Sequence, residues 1–505
     1  MSEDILAKIV RMRREDIERL GLNFGIEIPE KREVGHTEFL GNAGAILEVK
    51  RASPSKGDIA PDLDPVGLAT TYAEAHAQAV SVLTETNFFK GMLRDLIAVA
   101  NLMESRRKQG LHACAVLRKD FLLFEDEIDI AYRCGADAVL LIARILDDEQ
   151  LVRMAKRAAS FDMQAFVEVR ETDDLRKLKV VTDALGDAAA KTIVAGVNSR
   201  DLATFHTDPL VPASVRSKLP AKAVFESGIL CPADVTYARN LGFTGILVGE
   251  AVAKNPPLAK EVVHAFESGS ENARGKFWKK FAERKAAKKA GPLVKICGIT
   301  RDEDGKLAAE LGADMLGFVF STTKRLTTEE FVRSFAEKMR LCHPEQAQRV
   351  KGSPLLVGVI TDPESVEGKT AIKLAKEGVL DAVQFHGVAP GAEFSDLPHY
   401  GAARVGEESD FDKVTALRKS GEPRILLDAK VEGIPGGTGK TIPENLLREK
   451  AGDLPLWLAG GITPENVGAI VEKFHPELVD VSSGVEDAPG IKNSEKLKAL
   501  FAALS

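Results

Sequence analysis

The feature that most constrains this chain is a structural unit that recurs along it. An amphipathic stretch ends at glycine, a short turn follows, and an apolar run then ends in polar residues, as in CGAD (134–137) before AVLLIA and LGAD (311–314) before MLGFVF. Glycine just past a helix takes the left-handed conformation that other residues avoid. The apolar runs do not alternate with polar residues, which is typical of parallel strands buried on both faces. The unit therefore predicts helices that alternate with the strands of a parallel sheet.

The number of these strands indicates a closed sheet. Eight apolar runs lie between Ala45 and Glu250, and eight more lie between Leu293 and Gly484. Eight parallel strands, each followed by a helix, are the pattern of a (β/α)8 barrel, a domain of about 200–250 residues. Two such domains fit a chain of 505 residues. We predict an α/β fold of two tandem TIM barrels. The alternative, an open doubly wound sheet, rarely needs eight strands in succession.

The domain boundaries follow from these strands. We place the first barrel at 1–266, with an N-terminal helical extension in residues 1–40, a short charged linker at 267–291, and the second barrel at 292–505. The basic residues of the linker indicate either a patch for nucleic acid or a partner, or a solvated linker helix that ends at Gly291-Pro292, and we favour the helix. They are Arg274, Lys276, Lys279, Lys280, Arg284, Lys285, Lys288 and Lys289.

Charge and cysteine content exclude several classes of protein. Lys and Arg total 68 against 75 Asp and Glu, and this net charge of −7 argues against a general nucleic-acid binder. No apolar run approaches the roughly 18 residues of a membrane-spanning helix, and the charged N-terminus does not resemble a signal peptide. The five cysteines form no C-x-x-C pair, and the histidines form no H-E-x-x-H motif. We therefore expect no metal site, no disulfide framework and a reducing cytoplasm.

The active site of such a barrel lies at the carboxyl ends of its strands. In the first barrel, five of the eight strands end in an ionisable side chain. We expect the lysines and glutamates at these ends to meet in one mouth, where opposed charges tune each other's pKa toward acid–base chemistry. The polar residues at or just after these strand ends are Glu48, Lys50, Lys119, Glu168, Asn198, Arg200 and Glu226.

The second barrel carries a different set. Cys297 ends its first strand, and Asp428 ends its sixth strand and would serve as a partner acid. A lone cysteine is either a small buried hydrophobe or a base whose thiol pKa is lowered by cations, and Lys295 and Arg325 are available for this. The polar residues of the fourth strand, which would contact substrate or form structural hydrogen bonds, are Gln384 and His386.

Small residues follow the last two strands of each barrel, where barrels commonly bind phosphate. In the first barrel these are Ser227, Gly228 and Gly249. In the second they are Gly460, Gly461, Ser482, Ser483 and Gly484. The sequence therefore predicts a phosphorylated substrate for each barrel.

The motifs of the first barrel resemble those of the indole-3-glycerol phosphate synthase family over nearly all of residues 1–266. They are ILEVKRASPSKG (46–57), VLRKDF (116–121), VEV (167–169), GVNSRDL (196–202), ESGI (226–229) and LVGE (247–250). This family closes the indole ring of a carboxyphenylamino-deoxyribulose 5-phosphate with loss of CO₂ and water. The stretch TNFFKGML (86–93) departs from the family, which more often has a charged residue and a Gly-Ser pair there.

The resemblance implies a role for each matching residue. Lys119 would be the general acid at the ketose oxygen, Lys50 would contact the substrate carboxylate, and Glu168 would act in dehydration. Glu48 and Asn198 would position the substrate. The remaining matches would orient their neighbours or line the substrate and phosphate sites: Ser53, Phe89, Arg200, Glu226, Ser227, Gly228 and Gly249.

The motifs of the second barrel resemble those of the phosphoribosylanthranilate isomerase family over about residues 292–505. They are KICGIT, QFHG, LLDA, GGTG, LAGGITPENV and DVSSGVE. This family performs an Amadori rearrangement, which opens a ribosylamine ring and gives an aminoketose. By resemblance, Cys297 is the base at the sugar carbon, Asp428 is the acid at the ring oxygen, and Arg325 holds the anthranilate carboxylate. Backbone N–H groups of Gly461 and Ser483 would bind phosphate.

The two resemblances imply consecutive steps, because the isomerase product is the synthase substrate. Neither resemblance implies a metal or an organic cofactor. We expect a monomer whose substrates are phosphorylated small molecules. We expect it to bind neither nucleic acid nor membrane. The family pattern changes at TTKRLT around Arg325 and at KTIPENLL from Lys440 onward. These changes leave open an alternative in which only the N-terminal barrel is active and the C-terminal barrel is a degenerate scaffold.

A phosphate-binding loop of the Walker type is a further alternative. GGTGKT (436–441) ends like that motif, which requires glycine at 434, where this chain has Ile434. We therefore do not favour nucleotide hydrolysis.

Overall fold

The computed structural model of the chain describes residues 4–41, 43–201, 204–341, 353–429, 442–450 and 455–504. The chain divides into two compact units, Met1–Glu271 and Asn272–Ser505. Each unit contains a closed barrel of eight parallel strands in chain order. The two predicted barrels are confirmed, and the alternative of an open sheet is wrong.

The first barrel closes because its first and last strands pair. Ile46 pairs with Leu247 on one side and with Ala79 on the other. The strands of this unit, with β2 and β3 forming a separate hairpin, are β1 (Gly44–Val49), β2 (Ala52–Ser53), β3 (Gly57–Asp58), β4 (Ala79–Leu83), β5 (Ala115–Lys119), β6 (Ala138–Ile142), β7 (Gln164–Val169), β8 (Ile193–Asn198), β9 (Ala223–Glu226) and β10 (Gly245–Val248).

Helices follow the strands of this barrel and pack around it. They are α1 (Ile5–Leu20), α2 (Pro65–Glu74), α3 (Leu93–Lys108), α4 (Asp126–Arg133), α5 (Asp148–Ser160), α6 (Thr172–Leu185), α7 (Ala189–Thr192), α8 (Leu210–Val215), α9 (Pro232–Asn240), α10 (Glu250–Lys254) and α11 (Leu258–Ser268). Gly135, just past α4, has a φ of 92°, as the recurring unit predicts. A Cβ there would lie 2.7 Å from that of Ala100, so the turn also requires the absence of a side chain.

The predicted N-terminal helix is confirmed as α1, and buried charge holds it against the barrel. Its N-cap Asp4 accepts a hydrogen bond from the backbone N–H of Leu6. Arg13 is almost fully buried, donates to Asp120 at 2.6 Å directly after β5, and also pairs with Glu127. Removing one partner of a buried ion pair leaves an uncompensated charge, which is strongly destabilising. Arg13 therefore fixes α1 beside the carboxyl end of β5.

The second unit has the same architecture. Its strands are β11 (Leu293–Cys297), β12 (Met315–Val319), β13 (Leu355–Ile360), β14 (Ala382–His386), β15 (His399–Val405), β16 (Ile425–Ala429), β17 (Trp457–Ala459), β18 (Leu478–Val481), and the hairpin β19 (Glu486–Ala488) and β20 (Ile491–Lys492). Its helices are α12 (Ala273–Ala287), α13 (Asp302–Leu311), α14 (Glu329–Leu341), α15 (Val366–Lys376), α16 (Phe411–Lys419), α17 (Glu444–Lys450), α18 (Val467–Phe474) and α19 (Ser494–Ala503).

Helix α12 lies in the segment that we predicted as a linker, and the expectation of a solvated helix needs correction. One face of α12 buries Phe277, Trp278 and Phe281. The rings of Tyr400 and Trp457, near the beginnings of β15 and β17, pack against this face. The helix therefore covers the amino end of the second barrel. Basic residues of α12 and of the segment that follows it pair within this unit: Arg274 with Glu422, Lys280 with Asp381, Lys285 with Glu477 and Lys288 with Asp314.

We expect Phe281→Ala to destabilise the second unit, because it removes a fully buried ring whose centroid lies 4.7 Å from that of Trp457. A buried Phe→Ala change costs about 3–5 kcal/mol of unfolding free energy. Both tryptophans of the chain, Trp278 and Trp457, lie in this unit and are retained. Their fluorescence during urea unfolding therefore measures this unit. Lys276 lies on the exposed face of the same helix, so Lys276→Ala should leave the midpoint of urea unfolding unchanged. Equal midpoints for the Phe281→Ala and Lys276→Ala variants would contradict the burial of α12.

Candidate active sites

Lys119 occupies the centre of the first barrel's mouth. It ends β5, and its Nζ lies 3.2 Å from Glu48 Oε2 on β1 and 3.4 Å from Glu226 Oε2 on β9. Lys50 approaches the same carboxylate, with Nζ 2.8 Å from Glu48 Oε1. The expected convergence of these strand ends is therefore present, and it links three strands that are distant in the sequence.

The charges of this cluster set its protonation states. Burial disfavours the Glu48 carboxylate, but the ammonium groups of Lys119 and Lys50 outweigh it and lower the pKa of Glu48 to about 2. Burial alone would lower the pKa of Lys119, but Glu48, Glu226 and Glu168 together raise it. Glu48 is thus ionised at neutral pH, and Lys119 is a protonated donor.

The pKa values of Glu226 and Glu168 are raised, in contrast to that of Glu48. Burial, reinforced by the neighbouring Glu168, raises the pKa of Glu226 to about 8 although Lys119 opposes the shift. Burial also raises the pKa of Glu168, against the effects of Lys119 and of a hydrogen bond with Asn198. Carboxyl groups of shifted pKa beside an ammonium group are suited to proton transfer near neutrality.

Two glycines make room for these carboxylates. A Cβ on Gly196 in β8 would lie 2.2 Å from Glu226 Oε1, and a Cβ on Gly249 after β10 would lie 2.5 Å from Glu48 Oε1. No real side chain tolerates these distances. The structure therefore gives Gly249, which we predicted at a phosphate site, a packing role beside Glu48.

A cavity opens above this cluster and brings together most of the predicted residues. Phe89 lies on its wall, with the Lys50 ammonium 5.5 Å from the ring centroid, and Ser53 Oγ is buried without a hydrogen-bond partner. The predicted residues that line the cavity are Lys50, Ser53, Phe89, Lys119, Glu168, Asn198, Arg200 and Ser227. Glu48 and Glu226 are buried at its base.

Helix α1 forms part of the cavity wall. Ile5, Leu6 and Ile9 line the cavity together with Phe121. This apolar wall faces the acid–base cluster, so the cavity suits a ligand with one flat apolar part and several polar groups.

The phosphate candidates of the first barrel lie after neighbouring strands. Ser227 and Gly228 follow β9 with φ values of 66° and 75°, and a Cβ on Gly228 would lie 2.8 Å from Thr207 Cγ2. Ser199 Oγ donates to the carbonyl of Ser227 at 2.9 Å and fixes this turn. Arg200 donates to Ser55 Oγ at 3.3 Å. These contacts bring the turn after β9 to the rim of the cavity.

In the second barrel, Cys297 ends β11 and is largely buried. A Cβ on the neighbouring Gly317 would lie 2.7 Å from its Sγ, so glycine is needed to admit the thiol. Burial raises the pKa of the thiol, Lys295 acts to lower it, and Asp480 acts to raise it. The Lys295 ammonium is fully buried and donates to Asp480 Oδ2 at 2.5 Å and to Gln384 Oε1 at 2.9 Å.

Asp428 lies in the same mouth. His386 Nε2 is 3.3 Å from Asp428 Oδ2, and Gln384 Nε2 lies 3.1 Å from His386 Nδ1. Gln384 Oε1 accepts from Lys295 and from the Tyr400 hydroxyl, so this predicted substrate residue is committed to hydrogen bonds inside the barrel. A chain of contacts thus runs from Lys295 beside the thiol to the carboxylate on β16.

Arg325 has a partner that the sequence analysis missed. Its Nε donates to both carboxylate oxygens of Glu486, at 3.0 and 3.2 Å, and its Nη2 donates at 2.7 Å. Glu486 also accepts from Lys492 at 2.9 Å, and Lys492 donates to the backbone carbonyl of Cys297 at 2.5 Å. Glu486 and Lys492 lie in the hairpin β19–β20. Glu486 is the last residue of the DVSSGVE motif, to which the sequence analysis gave no role at this position.

The phosphate candidates of the second barrel follow β17 and β18, which are neighbours. Gly460 and Gly461 have φ values of 89° and 65°. A Cβ on Gly484 would lie 2.0 Å from the carbonyl oxygen of Ile462, so Gly484 packs directly on the first loop. Ser482 and Ser483 precede it. The segment 436–441, which resembles a Walker motif and includes Lys440, lies outside the described residues, and so does Ile434.

The described ranges contain no cluster of three or more His, Cys, Asp or Glu residues arranged to hold a metal ion. Within the same ranges, no helix is long and apolar enough to cross a membrane.

Comparisons with known proteins match this arrangement. The family model for indole-3-glycerol phosphate synthase matches residues 7–265, and that for N-(5'phosphoribosyl)anthranilate isomerase matches residues 294–503. A tryptophan biosynthesis protein TRP1 of Phytophthora nicotianae is 30% identical over 99% of this chain and 96% of its own length. The chain belongs to both families. It joins one barrel of each, with the synthase-family barrel first.

Other relatives match different shares of the chain. A multifunctional tryptophan biosynthesis protein of Schizosaccharomyces pombe is 33% identical over 91% of this chain, which spans 59% of that relative's length. An indole-3-glycerol phosphate synthase of Roseiflexus sp. (strain RS-1) is 40% identical over 43% of the chain and 78% of its own length.

Proposed function

We propose that this chain catalyses two consecutive reactions of tryptophan biosynthesis. The second barrel isomerises N-(5-phosphoribosyl)anthranilate to 1-(2-carboxyphenylamino)-1-deoxyribulose 5-phosphate. The first barrel converts this aminoketose to indole-3-glycerol phosphate with loss of CO₂ and water. The observation that carries the proposal is that each mouth holds the acid–base residues of its own family: Lys119 among three glutamates, and Cys297 and Asp428 joined through one buried network.

In the first barrel, we assign proton donation at the ketose oxygen to Lys119, because it is protonated and lines the cavity. Lys50 is the cation for the substrate carboxylate, and Glu168 is the group for dehydration, since its raised pKa suits it to exchange a proton. The apolar wall formed by α1 and Phe89 suits the aromatic ring.

In the second barrel, we assign Cys297 as the base and Asp428 as the acid of the Amadori rearrangement. The reaction requires removal of a proton from carbon and addition of a proton to the ring oxygen, which two side chains can perform without a cofactor. Arg325 is the cation for the anthranilate carboxylate. A degenerate second barrel is not favoured, because these three side chains are present, Lys295 beside the thiol is paired with Asp480, and Arg325 is paired with Glu486.

The direct test is to supply N-(5-phosphoribosyl)anthranilate to the purified chain and to follow both the aminoketose and the indole product over time. The aminoketose should appear first and then be consumed as indole-3-glycerol phosphate forms. Aminoketose that accumulates without an indole product would refute the synthase assignment. Loss of substrate at the uncatalysed rate would refute the isomerase assignment.

We expect Glu226→Gln to retain most synthase activity at pH 7, within about tenfold, because glutamine resembles the neutral carboxyl group that a pKa of about 8 maintains there. In the unchanged protein, kcat/KM should fall above about pH 8, since ionised Glu226 adds negative charge beside Lys119 and makes its ammonium a weaker acid. The Gln variant should lack this fall. A pH profile identical to that of the unchanged protein would contradict the assignment.

We also propose a cytoplasmic, monomeric enzyme whose partners are phosphorylated small molecules and not nucleic acids. Four free cysteines among the described residues support a reducing compartment. We assign the activities to residues 1–266 and 292–505. The packing of α12 (Ala273–Ala287) adds this helix to the second folding unit.

A further inference from the structure

We propose that Glu486 is a positioning residue for the isomerase reaction: it holds the Arg325 guanidinium so that its free edge receives the substrate's ring carboxylate. The proposal rests on the proposed function and deepens it, because it assigns substrate recognition to the hairpin β19–β20. The family resemblance marked Arg325 alone for this role.

The first support is the edge of the guanidinium that Glu486 occupies. Arg325 has two edges that can each grip a carboxylate with a pair of parallel N–H donors. Glu486 takes the edge formed by Nε and Nη2, at 2.7–3.2 Å. Among the described residues, no hydrogen bond uses Nη1, and the Arg325 side chain is 19% exposed. The edge formed by Nη1 and Nη2 is therefore left for a second carboxylate.

The second support is that Glu486 is held independently of Arg325. Its Oε1 accepts from the Lys492 ammonium at 2.9 Å and from the backbone N–H of Gly490 at 3.2 Å. Its side chain is only 4% exposed. A carboxylate fixed in this way does not swing aside to release Arg325, so it orients the guanidinium and does not compete with a ligand for it.

The third support is the position of Arg325 relative to the base. A Cβ on Gly298 would lie 2.8 Å from Arg325 Cδ, so the side chain passes directly over the residue that follows Cys297. Lys492 donates to the carbonyls of Cys297 and Ser482, at 2.5 and 3.2 Å. The hairpin thus holds the carboxylate-binding cation and the end of β11 in one rigid arrangement.

The charge balance agrees with this role. Arg325 and Lys492 carry two positive charges, and Glu486 supplies one negative charge. These three side chains together leave one positive charge for an anionic ligand, although burial lowers the pKa of Lys492 against the effect of Glu486. Arg325 and Glu486 also shift each other's pKa. The hydrogen bonds between them raise the pKa of Arg325. The hydrogen bonds that Glu486 accepts from Arg325 and Lys492 lower the pKa of Glu486 despite its burial.

The test compares Glu486→Gln with the unchanged full-length protein in the isomerase reaction. Glutamine keeps the shape but loses the charge that orients Arg325. We expect KM to rise about 10–100-fold, the cost of losing charge-assisted hydrogen bonds, while kcat stays within about threefold. Glu486→Asp keeps the charge on a shorter side chain. Its KM should therefore lie between that of Glu486→Gln and that of the unchanged protein.

Two inhibitors of the isomerase reaction separate orientation from general support of the fold. One is the reduced aminoketose phosphate, and the other is the same compound without the ring carboxylate. In Glu486→Gln, the inhibition constant of the first should rise about 10–100-fold and that of the second should stay within about twofold. Equal weakening of both would show a merely structural role, and tighter binding of the carboxylated compound would show that Glu486 competes for Arg325. Either result overturns the proposal.

Asp487→Asn is the matched control. This side chain lies in the same hairpin, is 58% exposed, and accepts from Asn493 Nδ2 at 2.8 Å. Its KM and both inhibition constants should match those of the unchanged protein. A control that reproduces the Glu486→Gln pattern would also overturn the proposal. If the unchanged protein lacks isomerase activity, the proposed function itself has failed, which is a separate result.

Discussion

Lys119→Ala should abolish indole formation and leave isomerase activity intact. Lys119 is the protonated donor between Glu48 and Glu226, and its ammonium reaches the cavity where the ketose oxygen would lie. Loss of a general acid typically costs about 10²–10⁴-fold in rate. The two reactions can be measured separately, with N-(5-phosphoribosyl)anthranilate as substrate for one and the aminoketose as substrate for the other. The effect should appear only in the second assay.

Lys119→Arg provides the sharper control, because it keeps the positive charge beside Glu48. A guanidinium group is effectively never deprotonated and cannot cycle as an acid, so this variant should not recover the activity. Recovery by arginine would mean that Lys119 acts only as a fixed charge. A Lys119→Ala variant that keeps a third or more of the synthase rate would remove this residue from the mechanism.

Cys297→Ser and Asp428→Asn should each lose isomerase activity by about 10²–10⁴-fold, because they remove the base and the acid of one rearrangement. The synthase rate should be unchanged in both variants. Burial raises the pKa of the Cys297 thiol, so the thiolate fraction, and with it the isomerase rate, should increase as the pH rises above neutrality. The measurement is the pH dependence of kcat/KM for each variant and for the unchanged protein.

Cys114 is the internal control for this prediction. It is buried in the first barrel, where burial raises its pKa to about 12, and Cys114→Ser should retain both activities. Thiol alkylation should inactivate only the isomerase, and a phosphorylated product analogue should protect it. If Cys297 is shown to be alkylated while the isomerase keeps its full rate, this cysteine is not the base.

Much of the candidate site could be predicted because barrels place chemistry at strand ends. Each strand ends within a residue or two of its apolar run, so the sequence alone assigns Lys119, Cys297 and Asp428 to the mouths. What strand ends do not reveal is protonation. The carboxyl groups of Glu48 and Glu226 flank the same ammonium, yet their pKa values shift in opposite directions. Burial and the neighbouring Glu168 raise the pKa of Glu226 to about 8, whereas Lys119 and Lys50 outweigh burial and lower that of Glu48 to about 2.

The linker shows a different limit. Its basic residues indicated a solvated helix. Its position depends instead on the aromatic side chains Phe277, Trp278 and Phe281, which pack against the amino end of the second barrel. Aromatic residues at helical spacing predict a buried face, and they do not say which surface covers it. That surface includes Trp457, which lies 176 residues further along the chain than Phe281.

The sequence by itself determined the fold and the chemistry of each mouth, because the period of apolar residues and the residue at each strand end are local properties of the chain. The tertiary structure alone decided how those residues are held. Arg13 meets Asp120 across 107 positions, and Arg325 meets Glu486 across 161. Such pairs form only when a barrel closes and brings distant loops to one rim. No local pattern encodes which of several similar charges will then lie within hydrogen-bonding distance.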